Sequence, residues 1–292
     1  MSTVAIANAG QASPAGARRK RWSVWDTWGV AFLAPYSVVF VVFVLYPVCY
    51  GLWLARHPES YVALADDPVF ETAIVNTLVF LIVAINVKMM LALMLSGFFV
   101  VQRTWIKWVS ILFILPWAVP SIPTILSIRF MLNPEWGVVN QLIFNLTGLD
   151  GPNWLNDRWL ALSMAMLTHV WKSLPFWTLI LISGRLAIPA EQYEAASVDG
   201  ATRWQKFLFV TWPSLRTLYI TSTILSMIWT LGDFNSVYLL TGGGPADLTH
   251  ILATLGIRYL RLDQVALAMA TIVCAMPLVL PLVYFMMKRL SR

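Results

Sequence analysis

The stretch that best indicates the fold is a polar segment between two long apolar runs, where residues 194–213 read EAASVDGATRWQKFLFVTWP. Glycine adopts left-handed backbone conformations that residues with a β-carbon resist, so Gly200 predicts a sharp turn. Thr202 and Gln205 have the spacing of a capping box, which predicts a second helix over residues 203–211. The segment therefore predicts helix, turn and helix, after which Pro213 begins another apolar span.

The composition indicates that most of the chain lies in lipid. Of the 292 residues, 59% are hydrophobic and 12% are charged, and the mean hydropathy is +0.72, whereas soluble domains carry about 25% charged residues. About 20 helical residues cross a hydrocarbon core of about 30 Å. Six apolar runs are long enough, at 27–55, 72–101, 108–128, 159–184, 214–240 and 264–287. We therefore expect an all-α integral membrane protein with about six transmembrane helices and one helix-turn-helix loop.

The basic residues predict the orientation, because short cytoplasmic loops carry an excess of Lys and Arg. If both termini are cytoplasmic, the inner segments hold Arg18, Arg19, Lys20, Arg21, Arg103, Lys107, Arg185, Arg203, Lys206, Arg216, Lys288, Arg289 and Arg292. The outer loops then hold only Arg56, Arg158, Arg258 and Arg261. This distribution accounts for the net charge of +6 without a nucleic-acid partner. It predicts a disordered basic tail over 1–27, a transmembrane domain over 28–290 and a cytoplasmic loop over 185–213.

The third apolar run contains three prolines, Pro116, Pro120 and Pro123. Each proline removes a backbone hydrogen bond from a helix, and such breaks persist in membranes only where neighbouring protein or a water-filled cavity satisfies the freed carbonyls. We therefore expect the third span to line a solute pathway.

The spacing E-A-A-x(3)-G-x(9)-[IV]-x-x-P over residues 194–213 resembles the EAA loop of permease subunits of bacterial type I ABC importers. Further elements resemble the carbohydrate-uptake branch of that family, the maltose-type inner-membrane permeases, and together they extend over roughly residues 29–290. These elements are Asn76-Thr77, Leu115-Pro116-Trp117 with Pro120, Trp136-Gly137-x-x-Asn140, Trp171-Lys172-x-x-Pro175-Phe176 and Tyr238-Leu239-Leu240-Thr241-Gly242-Gly243-Gly244-Pro245.

The resemblance implies a subunit of an ATP-driven sugar importer in the bacterial inner membrane, surrounded by lipid. Its expected partners are a second homologous permease, two copies of a cytoplasmic ATPase that binds ATP and Mg, and an external solute-binding protein. The loop would couple to the ATPase, whose closure on ATP would pull the Glu194–Gly200 helix inward and turn the cavity from inward-facing to outward-facing. The implied coupling residues are Glu194, Ala195, Ala196, Ser197, Asp199, Gly200 and Pro213.

The sequence shows no catalytic motif of its own. It lacks the G-x-x-x-x-G-K-[ST] phosphate loop, so we expect ATP hydrolysis in a partner and not in this chain. It also lacks a His/Cys ligand cluster, and we interpret His57, His169 and His250 as ordinary loop or intramembrane polar residues. We therefore expect neither a bound cofactor nor a metal in this chain.

Polar and ionisable residues inside apolar runs are costly in lipid, by roughly 2.5 to 3.5 kcal/mol at a helix centre, so they should face protein or water. By residue count, Lys88 and Lys172 lie near the middle of the membrane, whereas Arg129 and Asp233 lie nearer the outer face. An Arg129–Asp233 ion pair and a pathway role for these residues both remain open. A sugar suits polar groups mixed with aromatic rings. The predicted pathway residues are Asn86, Lys88, Trp117, Lys172, Trp229, Asp233, Asn235 and Tyr238.

Three alternatives compete with a sugar permease. A permease of the same superfamily for a non-sugar solute differs only in what it carries. An ATPase-independent secondary transporter should show internal repeats, which this sequence lacks, and a membrane enzyme or scaffold lacks a catalytic constellation to support it. Within the sugar interpretation, the basic residues near the membrane raise the hypothesis that the sugar carries an anionic group.

Overall fold

A computed structural model describes residues 23–101 and 103–290, and the regular structure of these residues is helical. By their contacts the residues divide into two units, one ending at Tyr50 and one beginning at Gly51. The helices are α1 (Val24–Leu54), α2 (Pro58–Ala65), α3 (Pro68–Phe99), α4 (Thr104–Ala118), α5 (Ser121–Met131), α6 (Val138–Thr147), α7 (Arg158–Leu186), α8 (Ala190–Val198), α9 (Arg203–Lys206), α10 (Trp212–Leu231), α11 (Asn235–Leu240), α12 (Leu252–Arg261), α13 (Val265–Val273) and α14 (Met276–Leu290).

The first helix begins earlier than the sequence predicts. Most of the predicted tail, residues 1–22, lies outside the described residues, but Val24 is already helical. The reason is a capping box, in which the Ser23 hydroxyl accepts the Asp26 N–H and the Asp26 carboxylate accepts the Ser23 N–H. The helix thus begins four residues before the predicted start of the transmembrane domain at residue 28, and that domain boundary stays a prediction.

Most of the predicted spans correspond to long apolar helices. Among the described residues, four helices are long and apolar enough to cross a membrane, namely Val24–Leu54, Pro68–Phe99, Arg158–Leu186 and Val265–Lys288. The pair α4 and α5 counts as a fifth if it is taken as one span bent by 96°. These helices match the predicted spans one, two, four, six and three. The chain is thus an all-α protein with several membrane-spanning helices.

The predicted fifth span corresponds to α10, which has 20 residues but is too polar to count as a span on composition alone. Its hydroxyl groups bond to carbonyls of the same helix, as Thr221 does to Thr217, Thr223 to Tyr219 and Thr230 to Ser226. Internal satisfaction of this kind lowers the cost of polar side chains in lipid. That α10 crosses the membrane, which would bring the total to six spans, therefore stays a prediction.

The bend between α4 and α5 confirms the expected effect of the prolines. Because residues 120 and 123 are prolines, they supply no N–H to the carbonyls of Pro116 and Val119, four residues earlier. Both carbonyls instead accept hydrogen bonds from Lys172 Nζ on α7, at 2.9 and 2.6 Å. A neighbouring helix thus satisfies the broken ladder, as the sequence predicted.

The loop predicted to be cytoplasmic folds as expected up to its last residues. Helix α8 ends in a turn at Gly200, whose φ of +75° is left-handed, and the Thr202–Gln205 capping box begins α9. The predicted second helix over 203–211 is wrong only in its end. Through a π-helical turn at Phe207–Thr211 it continues into α10, where Pro213 occupies the first turn. Proline is tolerated there because N–H groups of a first turn need no intrahelical acceptor.

The core of the unit from Gly51 onward lies where α3 and α7 pack together. Small residues, including Ala84 and Ala165, are fully buried at this contact and allow close approach of the two helices. Ile125 of α5 and Val237 of α11 complete the same apolar cluster. The broken helix and the end of α10 are therefore held against α7.

The loop after α11 is fixed by Asn76 of α3. The Asn76 amide donates to the carbonyls of Leu248 and His250, both at 2.8 Å, and its oxygen accepts from Arg158. A β-carbon on Gly243 would collide with the ring of His250. Burial lowers the pKa of His250 below its ordinary value, which favours the neutral ring at this packed position. The Asn76 and Gly-Gly-Gly elements thus have a structural explanation.

Candidate functional site

A cavity of about 290 Å³ opens between α7, the bent pair α4 and α5, and the end of α10. Six of the eight predicted pathway residues line it, although they come from four separate stretches of the chain. These six are Lys88, Trp117, Lys172, Trp229, Asp233 and Asn235. The structure also adds residues that the sequence did not single out for the pathway, namely Ser121, Ile125, His169, Ser173, Trp177, Ser226, Thr230 and Ser236.

Three polar side chains at the wall of this cavity are joined in a row by hydrogen bonds. Lys88 Nζ lies 3.1 Å from His169 Nε2, and His169 Nδ1 lies 2.6 Å from a carboxylate oxygen of Asp233. Because the Lys88 ammonium can only donate, Nε2 accepts, and the ring proton lies on Nδ1 and is donated to Asp233. Lys88 borders the cavity but is only 1% exposed, so His169 is the hydrogen-bond partner that satisfies its amine.

This arrangement corrects two sequence-based interpretations. Asp233 bonds to His169 and to the Ser236 hydroxyl, so the suggested Arg129–Asp233 ion pair is wrong. The Arg129 guanidinium instead lies 3.5 Å from the Leu239 carbonyl. The interpretation of His169 as an ordinary polar residue is incomplete, because it joins two charged residues, Lys88 of α3 and Asp233 of the link between α10 and α11. Opposite charges on separate spans, Lys88 and Asp233, were the available signal that a polar partner lies between them.

Lys172 has a supporting role at the cavity wall. Two of its three N–H groups are used on the Pro116 and Val119 carbonyls, where they hold the bend between α4 and α5 in place. No carboxylate lies within 4 Å of its amine among the described residues, and the negative end of α4 provides the balancing partial charge. Lys172 therefore lines the cavity and also fixes the shape of its wall.

Stacked aromatic rings form another wall. Phe176 stacks on Trp117 and on Trp229, with ring centroids 5.6 and 5.4 Å away and the ring planes inclined by 28° and 27°. Trp177 packs against Trp229 at 5.6 Å. The cavity thus offers ring surface opposite hydroxyl, amide and charged groups, a combination that can hold a solute with both apolar and hydrogen-bonding faces.

Two of the predicted pathway residues lie off the cavity. Asn86 is exposed, and its amide donates to the Ile82 carbonyl of its own helix at 2.6 Å. Tyr238 packs on Phe234, and Arg261 lies 5.0 Å above its ring. Counting residues along each span predicts the depth of a side chain in the membrane, but it does not show the face of the helix on which the side chain lies.

The loop that contains the predicted coupling residues has no buried side chain in α8, and Val198 is 88% exposed. Its base is nevertheless fixed, because the Tyr193 hydroxyl bonds to Thr211 at 2.9 Å. Lys206 donates to the Ser197 hydroxyl at 2.6 Å across the turn. The structure thus shows a helix that is fixed at its base and whose outer face is exposed.

Among the described residues, no group of three or more His, Cys, Asp or Glu side chains is arranged to hold a metal ion.

Residues 88–292 match the family model described as "Binding-protein-dependent transport system inner membrane component". The chain belongs to this family. It is accordingly a multi-pass inner-membrane permease subunit of an ABC importer, and ATP hydrolysis resides in a separate subunit.

Two relatives show how far the likeness of this permease extends. It is 30% identical over 282 residues to the "Trehalose/maltose transport system permease protein MalF" of Thermococcus litoralis, with 90% of this chain and 94% of that protein covered. It is 30% identical over 254 residues to the "Sulfoquinovosyl glycerol transport system permease protein SmoG" of Agrobacterium fabrum, covering 80% and 82%.

A solved structure of a bacterial alginate ABC transporter, in complex with an alginate pentasaccharide-bound periplasmic protein, contains a chain with the same fold. The TM-score is 0.79 at 24% identity, and the match covers 90% of this permease and 93% of that chain. The type I importer permease fold that the sequence predicted is therefore confirmed.

Proposed function

We propose that this permease is the transmembrane subunit of an ATP-driven sugar importer and forms half of the translocation pathway. The observation that carries this proposal is the cavity at the bend of α4 and α5. There the rings of Trp117 and Trp229 face Lys88, Asp233 and hydroxyl groups. Ring faces suit the C–H surfaces of a sugar, and the polar groups suit its hydroxyls. The trehalose, maltose and sulfoquinovosyl glycerol named for its relatives support a sugar over another solute.

Lys88, Trp117, Trp229, Asp233 and Asn235 are the proposed solute contacts, and Lys172 holds the wall behind them. For Asn86 and Tyr238 the proposal is weaker, because neither side chain reaches the cavity.

The loop after α7 is the proposed site of coupling to the ATPase. Glu194, Ala195, Ser197 and Asp199 are exposed, and small side chains permit close approach of another protein. Ala196 lies beneath them, Gly200 makes the turn, and Pro213 starts the span that would transmit the movement. The partner ATPase binds ATP and Mg, and its closure pulls this helix inward.

The proposed assembly contains a second homologous permease, two ATPase copies and an external solute-binding protein. Both termini of this chain lie in the cytoplasm, so the 133–158 segment faces outward. The excess of basic residues in the inner segments supports this orientation.

The test is ATP-driven uptake of labelled trehalose and maltose by the complete assembly in proteoliposomes. The Trp229→Ala variant should raise the KM of uptake about tenfold, because it removes a ring from the cavity. Trp108→Ala is the matched control, since Trp108 is 67% exposed and lies off the cavity. Transport of a non-sugar solute alone, or assembly without any ATPase, would refute the proposal.

A further inference from the structure

A second and larger cavity, of about 560 Å³, adjoins the first along α5. Ser121 and Ile125 of this helix line the first cavity, which we call the inner cavity, whereas Leu126, Arg129 and Phe130 line the second one. In the orientation proposed above, the second cavity lies on the external side, and we call it the outer cavity. A solute that moves inward along α5 meets the outer cavity first.

The rim of the outer cavity is held in place by Asn140 of α6. Its amide nitrogen donates to the carbonyls of Pro134 and Pro152, at 3.2 and 3.3 Å, and its oxygen accepts from Trp154 Nε1 at 2.7 Å. Asn140 is only 8% exposed, so these bonds are shielded from water. One side chain thereby joins the two loop segments of the cavity wall, 133–136 and 152–156, and α5 completes the wall.

The polar groups on this wall are largely unused. The Asn133 oxygen accepts the backbone N–H groups of Glu135 and Trp136, but its NH₂ group has no acceptor among the described residues. The exposed side chains of Asn153 and Asn156 also have no hydrogen-bond partner within the described part of the chain. Three amides are thus available to a ligand.

Arg129 adds a charge without a counter-charge. Its guanidinium makes one long contact, 3.5 Å to the Leu239 carbonyl, and no carboxylate of the described residues lies within 4 Å of it. A planar guanidinium is suited to bind a carboxylate through two hydrogen bonds. On the same wall, the rings of Phe130 and Trp136 lie 5.4 Å apart and give an apolar surface.

We propose that the outer cavity is a sugar-binding subsite, in which the three asparagine amides bind hydroxyls, the two rings pack on the sugar face, and Arg129 selects sugars with an acidic group. Amides that both donate and accept match hydroxyl groups, which do the same. This inference rests on the proposed function, and it adds a second position on the solute's path and a preference for acidic sugars.

The direct test measures ligand binding to the full-length permease in nanodiscs, with saturation-transfer NMR as the method of detection. The probes are trehalose, which is neutral, and a disaccharide of uronic acid. The Asn153→Ala/Asn156→Ala double variant should weaken binding of both probes about tenfold, whereas Arg129→Gln should weaken the uronic disaccharide about tenfold and trehalose little. All three side chains are exposed, so the variants should fold. Asn145→Ala is the control, since it replaces an exposed asparagine of the same external segment that does not line the outer cavity.

Equal binding by the double variant and the Asn145→Ala control would overturn the subsite. An equal loss of both probes in Arg129→Gln would overturn the acidic preference. The same variants, tested for sugar-stimulated ATP hydrolysis by the whole assembly, separate the two proposals. If a sugar stimulates the wild type and all variants with one KM, the subsite fails and the proposed function stands. If neither probe nor maltose stimulates the wild type, the proposed function fails and the subsite with it.

Discussion

The polar chain in the inner cavity and the exposed loop after α7 use polar residues in opposite ways. Lys88, His169 and Asp233 lie inside the protein, and each has a hydrogen-bond partner. In α8, by contrast, no side chain is buried, and the exposed Glu194 faces solvent. Buried polar groups stabilise a fold only when all are satisfied, whereas exposed groups cost little when unpaired. The first region therefore fixes the fold, and the second is available for a partner.

The largest effect should follow from His169→Ala. This change leaves the buried Lys88 ammonium without its hydrogen-bond acceptor, and an unsatisfied buried charged group costs about 3 kcal/mol or more. We expect a loss of this size in the free energy of unfolding, measured by detergent denaturation.

The double variant Lys88→Met/His169→Leu should recover much of that loss, because it removes both buried polar groups together and leaves Asp233, which is 21% exposed, bonded to Ser236. If the double variant is no more stable than His169→Ala, the three side chains do not act as one chain.

Lys172→Met should have the next largest effect. It removes both donors from the Pro116 and Val119 carbonyls, which have no replacement N–H because of Pro120 and Pro123. The expected cost is about 2 kcal/mol of unfolding free energy, measured in the same way. Lys107→Met, an exposed lysine on α4, should change stability by less than about 0.5 kcal/mol. Equal effects of the two changes would show that Lys172 does not support the bend.

A smaller and local effect is expected for Thr202→Ala at the turn of the exposed loop. Losing the capping hydroxyl costs about 1 kcal/mol, so amide hydrogens of α9 should exchange about fivefold faster. Thr202→Ser keeps the hydroxyl and should exchange at the wild-type rate. Faster exchange in both variants would mean that the cap does not hold this turn.

The same contrast explains what the sequence could predict. The loop depends on signals within about ten residues, such as the left-handed glycine at 200 and the capping box at 202–205, and both were predicted correctly. The prolines of the third span likewise predicted a bend that a neighbour must satisfy. Turns, caps and bends of this kind can be predicted from the sequence because they depend on residues that are close together in the chain.

The cavity could be predicted only in part, because it joins residues far apart in the chain. Lys88 and His169 are 81 positions apart, and His169 and Asp233 are 64 apart. The cost of charges in lipid identified Lys88 and Asp233, but it could not show that His169 lies between them. Nor could it show that Asn86 faces away from the cavity while Lys88, two residues later, is buried.

The measurement that tests the central claim most directly is sugar-stimulated ATP hydrolysis by the purified assembly carrying Gly200→Val. A β-carbon at residue 200 would meet no atom within 4 Å, so only the backbone strain at φ +75° separates the variants. Valine resists this conformation by about 1 to 2 kcal/mol, whereas asparagine tolerates it.

We therefore expect Gly200→Val to weaken ATPase binding and to reduce stimulated hydrolysis about tenfold, with Gly200→Asn close to the wild type. Full stimulated hydrolysis in Gly200→Val, or a wild-type permease that assembles with no ATPase, would contradict the role of this loop in coupling the permease to the ATPase.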